Sequence, residues 1–269
     1  MNLTLTLFLP LFFKAELFFK FAKSNIPKQE GTKGDDVLSG SESFLAVADG
    51  VGGWAKQGVN PRNYPLKLVK VMKELFADSP AKYSKSPSEL VRDAYPQVKH
   101  NGSTTLVLAT IDNEESQLRL ANLGDAGYVV LRRNSEGQFE IQLKSREKMH
   151  SFNFPFQLGV NQDGPDEMVE EGFEAKEGDL VLLASDGIFD NLFDAEIVRI
   201  SNEFGEDLQK LAEGLAGRAK TLSEDKDFES PFAVNAMKNG YYNLGGKPDD
   251  ISVIVAEVNR RGSGHRLVV

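Results

Sequence analysis

Apolar residues along this chain fall into short continuous runs and helical stripes. Phe44–Ala48 is a continuous apolar run that ends at Asp49-Gly50 and predicts a buried strand. Over residues 65–77, Leu66, Val69, Met72, Leu75 and Phe76 recur at helical spacing, with Pro65 suited to a first turn. Ser86-Pro87 followed by Glu89 is a helix-start signature, and that helix should stop near Tyr95, ahead of Pro96. A β-rich block follows. Thr104–Ile111 is apolar and β-branched, Gln117–Leu123 alternates, Tyr128–Leu131 comes after a Gly-Asp turn, and Phe139–Leu143 alternates again. Such tight spacing predicts an antiparallel meander. Residues 144–175 show weak periodicity. Leu180–Ala184 predicts another buried strand, residues 194–204 and 206–222 predict helices, and Ile251–Val258 predicts a last strand.

Strands, then helices, then a strand indicate an α+β protein with helices packed on antiparallel sheets, not an alternating βαβ chain. No internal repeat, low-complexity tract or linker divides the sequence, so one domain is expected. Residues 1–30 stand apart. The run LTLTLFLPLFF is too short to cross a bilayer and is broken by Pro10. It lacks the basic start and small-residue cleavage site of a secretory signal. Two readings stay open: a targeting or membrane-contacting segment, or an edge strand built on the alternating Leu3–Leu7. The folded domain is placed at 31–258, and residues 259–269 read as a flexible basic tail.

Composition narrows the chemistry. The 269 residues contain no Cys and three His, which excludes disulfides, thiolate metal sites and a cysteine nucleophile. A net charge of −9 argues against nucleic-acid binding. What the chain has in supply is carboxylates, and their placement is informative. Asp49 ends one apolar run, Asp186 ends another, Asp125 follows RLANLG, Asp249 and Asp250 precede the last strand, and Asp35-Asp36 precede Val37. Neighbouring strands lie about 4.8 Å apart, so acids at several strand ends can converge. Such a cluster either takes up protons or binds a cation, and all-oxygen ligation favours Mg²⁺ or Mn²⁺. Taken singly, each Asp-Gly is as well explained by a turn. Asp163-Gly164, which follows no apolar run, is read as a plain turn.

The motifs Asp49-Gly-Val-Gly-Gly-Trp54, Gly102-Ser-Thr-Thr105, Ala121-Asn-Leu-Gly-Asp125, Ala184-Ser-Asp-Gly-Ile-Phe-Asp-Asn191 and Gly246-Lys-Pro-Asp-Asp-Ile-Ser252 resemble, in order and spacing, those of the metal-dependent protein phosphatases of type 2C. Ser151–Gly159 and Ser230–Ala233 also resemble the branch that includes mitochondrial matrix phosphatases of fungi and animals. The resemblance implies two antiparallel sheets packed face to face, flanked by helices on both sides. It implies a serine/threonine phosphatase acting on phosphoproteins by metal-assisted attack of water, with two Mn²⁺ or Mg²⁺ ions and a weaker third site. Carried over, Asp49 bridges both metals and the Gly50 carbonyl ligates one. Asp186 and Asp249 complete the first site, Asp35 serves the second, and Asp36 holds water. Asp125 with Asp186 resembles the third. Asp36, Asp49 and Asp186 are thus the expected catalytic set. A mitochondrial location and a monomer are also implied, with cytoplasm or a membrane surface as alternatives.

The chain departs from the family pattern at three points. Val51 stands where many members carry His as a proposed general acid. No Arg precedes Arg62; Lys33 is the nearest cation, more simply read as a solvated loop lysine. The stretch between Asp36 and Asp49 is a few residues short, so a truncated hairpin could leave Asp35 off the metal, with Glu42 a poor substitute. These departures motivate an alternative, a catalytically impaired binding or regulatory module on the same fold. A calcium-binding β-protein is weaker still, since no EF-hand loop is present. Trp54, Ser103–Thr105 and the alternating Phe152, Phe154 and Phe156 are read as packing or loop-anchoring residues.

Overall fold

The structure is a computed structural model and describes residues 16–262. One sheet runs β1–β13–β12–β6–β7, with β1 Leu17–Ile26, β13 Ile251–Arg260, β12 Leu180–Ala184, β6 Gly127–Arg133 and β7 Phe139–Lys144. The other runs β11–β5–β4–β3–β2, with β11 Val169–Glu174, β5 Gln117–Leu123, β4 Ser103–Asp112, β3 Phe44–Gly50 and β2 Val37–Gly40. A short strand β10, Leu158–Gly159, adds to β4. Every strand pairing in the two sheets is antiparallel.

The sheets face each other across a dry layer. Val47, Val107, Ala109 and Leu120 of one meet Tyr128, Val130, Val181, Leu183, Ile254 and Ala256 of the other. Alternate residues of the same strands face outward onto helices, which is why β4, β12 and most of β13 read as unbroken apolar runs. α5 (Asp194–Phe204) and α6 (Leu208–Ser223) cover the first sheet through Ile197, Ile200, Leu211 and Leu215. α1 (Asn63–Asp78) and α3 (Pro87–Ala94), joined through the single turn α2 (Pro80–Tyr83), cover the second through Leu68, Met72, Phe76, Leu90 and Val91. Ser86 caps α3 as expected, its hydroxyl accepting from the Glu89 N–H. The layered α+β architecture agrees with the sequence expectation.

Four differences have physical causes. Leu66 is exposed, not core; the buried stripe of α1 runs through Leu68, Val69, Met72 and Phe76. The expected single meander is two hairpins on different sheets. β4 and β5 pair in one, β6 and β7 in the other, and the chain crosses between sheets at Gly124–Ala126. β11 gave no apolar signal because its surface is exposed and acidic; it is held by backbone pairing to β5. Finally, the fold starts before residue 31 and runs past 258. β1 pairs along its whole length with β13, burying Leu17 and Phe19, and β13 extends to Arg260. The alternating Leu3–Leu7 segment and most of the basic tail lie outside the described residues.

Candidate metal centre

All the strand-end acids singled out from sequence lie at one end of the sandwich. All of them except the fully buried Asp36 line an open cleft of about 920 Å³: Asp35, Asp49, Asp125, Asp186, Asp249 and Asp250, with Gly50 beside them. β3 delivers Asp49 one residue before its end. Val37 pairs with Ala48, and continuing that register by one residue sets Asp36 across from Asp49. β5 ends at Leu123, just before Asp125. β12 ends at Ala184, and Asp186 opens the short helix α4, Asp186–Phe189. Asp249 and Asp250 lead into β13.

Two glycines make the corners possible. A Cβ at Gly50 would lie 2.5 Å from the Pro61 carbonyl oxygen and 2.9 Å from that of Asp35. A Cβ at Gly187 would lie 2.1 Å from the Asp250 carbonyl oxygen. In both, backbone meets backbone with no room for a side chain. The Asp-Gly pairs are therefore more than turn formers.

Burial and mutual repulsion dominate the electrostatics. Burial lifts Asp36 to about 7; the neighbouring polar groups of Ser252, Asp49 and Ser185 pull it back, and the Asp250 carboxylate adds to the rise. Burial also pushes Asp49 well above the carboxylate range, and the charges of Asp36, Asp186, Asp249 and Asp125 add to it. Asp125 is raised by burial and by Asp186, and Asp249 likewise. Asp35 is raised by burial, then by Asp250 and Asp249. Both carboxylate oxygens of Asp36 and the Oδ1 of Asp186 are buried with no hydrogen-bond partner. A buried acceptor left without a donor costs free energy unless something fills the role. A hard divalent cation suits these donors: all oxygen, acidic, clustered, with a backbone carbonyl close by at Gly50. Among the described residues no three acids or histidines are already closed into a finished metal-binding set. The acids are neighbours around one cleft, and their oxygens stop short of a common point.

Several residues have roles at the site that the sequence reading did not assign them. Asp250 is buried, and its carboxylate accepts from the Lys28 N–H at 2.6 Å and the Asp35 N–H at 2.5 Å, so β13 fixes the loop that carries Asp35. The Arg62 guanidinium donates to the carbonyls of Lys33 and Gly34 at 3.1 Å each, and to that of Asp36. It braces the same loop from the other side. Lys28, Lys33 and Arg62 all line the cleft. Lys247 lies deeper, bonded to Asp186 and Asp190. Its burial opposes its charge, but Asp186, Asp190 and Asp249 outweigh that and hold the ammonium above the ordinary lysine range. Asp190 itself is lifted to about 7, chiefly by burial. The only sequence signal for these groups was their nearness to the motif acids.

The residues assigned to packing have specific tasks. Trp54 donates its Nε1–H to Ser103 Oγ at 2.6 Å, and Ser103 donates to Gln157 Oε1 at 2.5 Å. Thr104 donates to the Asp49 carbonyl at 2.7 Å, fixing the metal corner from β4. A small hairpin of β8 (Met149–Ser151) and β9 (Phe154–Pro155) overhangs the cleft, with Asn153 and Pro155 in its lining. Phe152 anchors it, packing on Phe232 and Tyr241 with ring centroids 5.3 and 5.0 Å away. Phe154 is half exposed. Asp163 does more than turn the chain: its carboxylate faces His150 at 3.0 Å and accepts from the Gln157 N–H at 2.9 Å.

Comparison with known proteins decides the family. The family model described as stage II sporulation protein E matches residues 39–259. A human protein named protein phosphatase PTC7 homolog is 33% identical over 263 residues, spanning 90% of this chain and 84% of that protein. A Drosophila mojavensis relative, protein phosphatase PTC7 homolog fig, is 37% identical over 235 residues, spanning 80% of this chain and 73% of that protein. The chain belongs to the type 2C protein phosphatases. It is therefore an enzyme, a phosphatase. The photosystem II phosphatase PBCP superposes with a TM-score of 0.81 at 30% identity, covering 90% of this chain and 99% of that one. The catalytic domain of the serine/threonine phosphatase PstP, solved with 2 manganese ions, shares the fold with a TM-score of 0.63 at 19% identity, over 91% of this chain and all of that one. The type 2C sandwich of this chain presents its acids at the end where β3, β5, β12 and β13 place them.

Proposed function

We propose that this type 2C phosphatase hydrolyses phosphoserine and phosphothreonine in proteins with the help of two Mn²⁺ or Mg²⁺ ions. Asp49, the Gly50 carbonyl, Asp186 and Asp249 would hold one ion, and Asp35 and Asp49 the other. Asp36 would accept a hydrogen bond from water at the second ion. The observation that carries the reading is the buried, unpartnered Oδ1 of Asp186 in the wall of an acidic cleft, with the buried carboxylate of Asp36 just behind it, next to Asp35. When bound, divalent cations supply Lewis acidity and an activated water at neutral pH. The chain's own residues supply the rest. Without a cation, burial raises both Asp36 and Asp49, so cations entering the site would compete with protons for these carboxylates. Lys28, Lys33 and Arg62 give the cleft mouth a positive rim that favours a dianionic phosphoryl group. The β8–β9 hairpin contributes Asn153 and Pro155 to one wall.

Val51 has no proton to donate, so the leaving alcohol must take its proton from water or from an acid of the cleft. The mitochondrion is the proposed location, following the branch resemblance, and the enzyme is proposed to act as a monomer on phosphoprotein substrates. Among the described residues no helix is long and apolar enough to cross a membrane.

The test is hydrolysis of a phosphothreonine peptide by the purified full chain with Mn²⁺, with and without EDTA, beside Asp186→Ala. Activity is expected only in the wild type with free Mn²⁺. Turnover that survives EDTA or Asp186→Ala overturns the metal reading. Mn²⁺ binding without turnover favours the impaired binding module.

A further inference from the structure

Lys247 enters the acidic cleft from the segment between α7 (Pro231–Lys238) and β13. Its Nζ lies 2.5 Å from Asp186 Oδ2, 2.6 Å from Asp190 Oδ2 and 3.7 Å from Asp249 Oδ2. Only 16% of the side chain is exposed. This is not a solvated lysine that has swung onto an acid. The fully buried Asn191 grips its backbone from both sides: the Lys247 N–H donates to Asn191 Oδ1 at 2.8 Å, and Asn191 Nδ2 donates to the Lys247 carbonyl at 2.9 Å. The ammonium also sits 5.1 Å from the ring centroid of Phe232. The Phe232 N–H in turn donates to the Asp190 carbonyl at 3.1 Å. The α4 corner, the start of α7 and the lead into β13 thus hold one positive charge at one point.

The neighbouring acids divide around that charge. Asp186 commits Oδ2 to Lys247, while its Oδ1 is buried and unpartnered. Asp190 turns Oδ2 to Lys247. Asp125 lies within electrostatic reach of Asp186, Asp190 and Lys247 together. We propose that Lys247 is a resident counter-ion of the site, its ammonium filling the corner of Asp125, Asp186 and Asp190 that a further divalent cation would otherwise take. The chain then binds two divalent cations and no third. The inference rests on the metal-centre reading above and deepens it. A divalent ion brought into the same corner would meet a fixed like charge in a partly buried setting, where repulsion is poorly screened. Lys247 also keeps Asp186 oriented, with one oxygen on the ammonium and the other free for the binuclear site. It is a positioning residue.

The experiment counts bound Mn²⁺ by equilibrium dialysis with elemental analysis, using the full chain up to millimolar free Mn²⁺. The wild type should hold two ions per chain. Lys247→Met, close in length but neutral, should hold one more, because Asp125, Asp186 and Asp190 lose their counter-charge. Lys247→Gln, a second neutral variant, should also hold three, while Lys247→Arg, which keeps the charge, should stay at two. Three ions in the wild type, or an unchanged count in Lys247→Met, overturns the proposal. If Lys247→Met does not fold, Lys247→Gln carries the same test. A wild type that binds no Mn²⁺ and hydrolyses no phosphopeptide would instead sink the metal-centre reading itself, so the two failures are distinguishable.

Discussion

Replacing Asp36 by Asn isolates the energetic consequence of gathering acids without a counter-ion. Asp36 is fully buried, neither carboxylate oxygen has a partner, and burial lifts it from the ordinary value of 3.8 to about 7. A carboxylic acid raised in the folded state gives stability that is present at low pH and lost as the unfolded chain ionises first. The loss begins near the unfolded value, grows through pH 5 and 6, and levels off above about 7. Between pH 5 and pH 8 the metal-free wild type should lose about 3 kcal/mol from this one group, taking roughly 1.4 kcal/mol for each unit of pH up to the folded value. Asn cannot ionise and escapes that loss. It carries its own cost, since an amide left unsatisfied in the interior is worth about 1–3 kcal/mol, but that cost does not change with pH. The measured quantity is therefore a difference of differences. Thermal melts in EDTA at pH 5 and pH 8 should show Asp36→Asn gaining on wild type by about 5–10 °C across the interval, for a domain of this size. Added Mn²⁺ at pH 8 should then favour the wild type, because cation binding displaces protons from raised carboxylates. A melting difference that stays constant from pH 5 to pH 8 would show that Asp36 carries no buried charge, and the argument for a cation-ready floor would fail with it.

Other expectations test the scaffold. In Gly50→Ala the new methyl meets main-chain oxygens that cannot swing aside, so the corner must shift. The expected cost is about 1–3 kcal/mol of stability and roughly 100-fold in kcat/KM, read by melting and phosphopeptide turnover; unchanged turnover would refute the close-approach argument. Arg132→Ala strands the fully buried Asp179, which now accepts from Arg132 Nε at 2.6 Å and Nη2 at 2.8 Å. Stability should fall by about 3–5 kcal/mol with Mn²⁺ affinity untouched, by denaturant titration and calorimetry. Removing residues 1–26 takes away β1 with Leu17 and Phe19, each worth about 1.5–3 kcal/mol of burial, and should yield an aggregating or unfolded chain. A localisation experiment must therefore cut before Glu16.

The fold was legible wherever one surface of an element decided its pattern. β5, β12 and α5 have the bounds their residues suggested, because Gln117–Leu123, Leu180–Ala184 and 194–204 each carry an unambiguous period or run. Position in space was not legible. Nothing in Gly124–Ala126 tells that the chain leaves one sheet for the other there, since a tight turn within a sheet uses the same residues. β11 pairs through its backbone while its glutamates face water, so hydrophobic pattern is blind to it. Leu66 misleads because a stripe of five apolar residues fits two neighbouring faces of α1, and only the sheet beneath it selects one. Within the site, the acids were visible as strand ends. The groups that manage their charge were not. Asp250 was visible as a strand-end acid but not as a clamp, Lys247 and Arg62 read as ordinary loop residues, and the roles of all three arise from contacts across at least 26 residues of chain.

The shortened stretch between Asp36 and Asp49 illustrates how topology answers a question that spacing raises. Counted along the chain, missing residues threaten the acid they precede. In space, β2 and β3 pair from Val37–Ala48 to Gly40–Leu45, and the turn that closes them lies at the Gly40 end. At about 3.3 Å per residue that turn is roughly 13 Å from Asp36 and Asp49. Trimming it shortens the far end of the hairpin and leaves the register at the near end unchanged. Asp35 is not positioned by the hairpin at all. Asp250 takes its N–H, and Arg62 ties the carbonyls of Gly34 and Asp36 on either side of it. The loop is thus clamped between the start of β13 and the start of α1, both anchored in different layers of the sandwich. A short hairpin is therefore no reason for a displaced Asp35, and the case for an impaired module narrows to Val51, with the source of the proton for the leaving alcohol, and to the missing Arg ahead of Asp35.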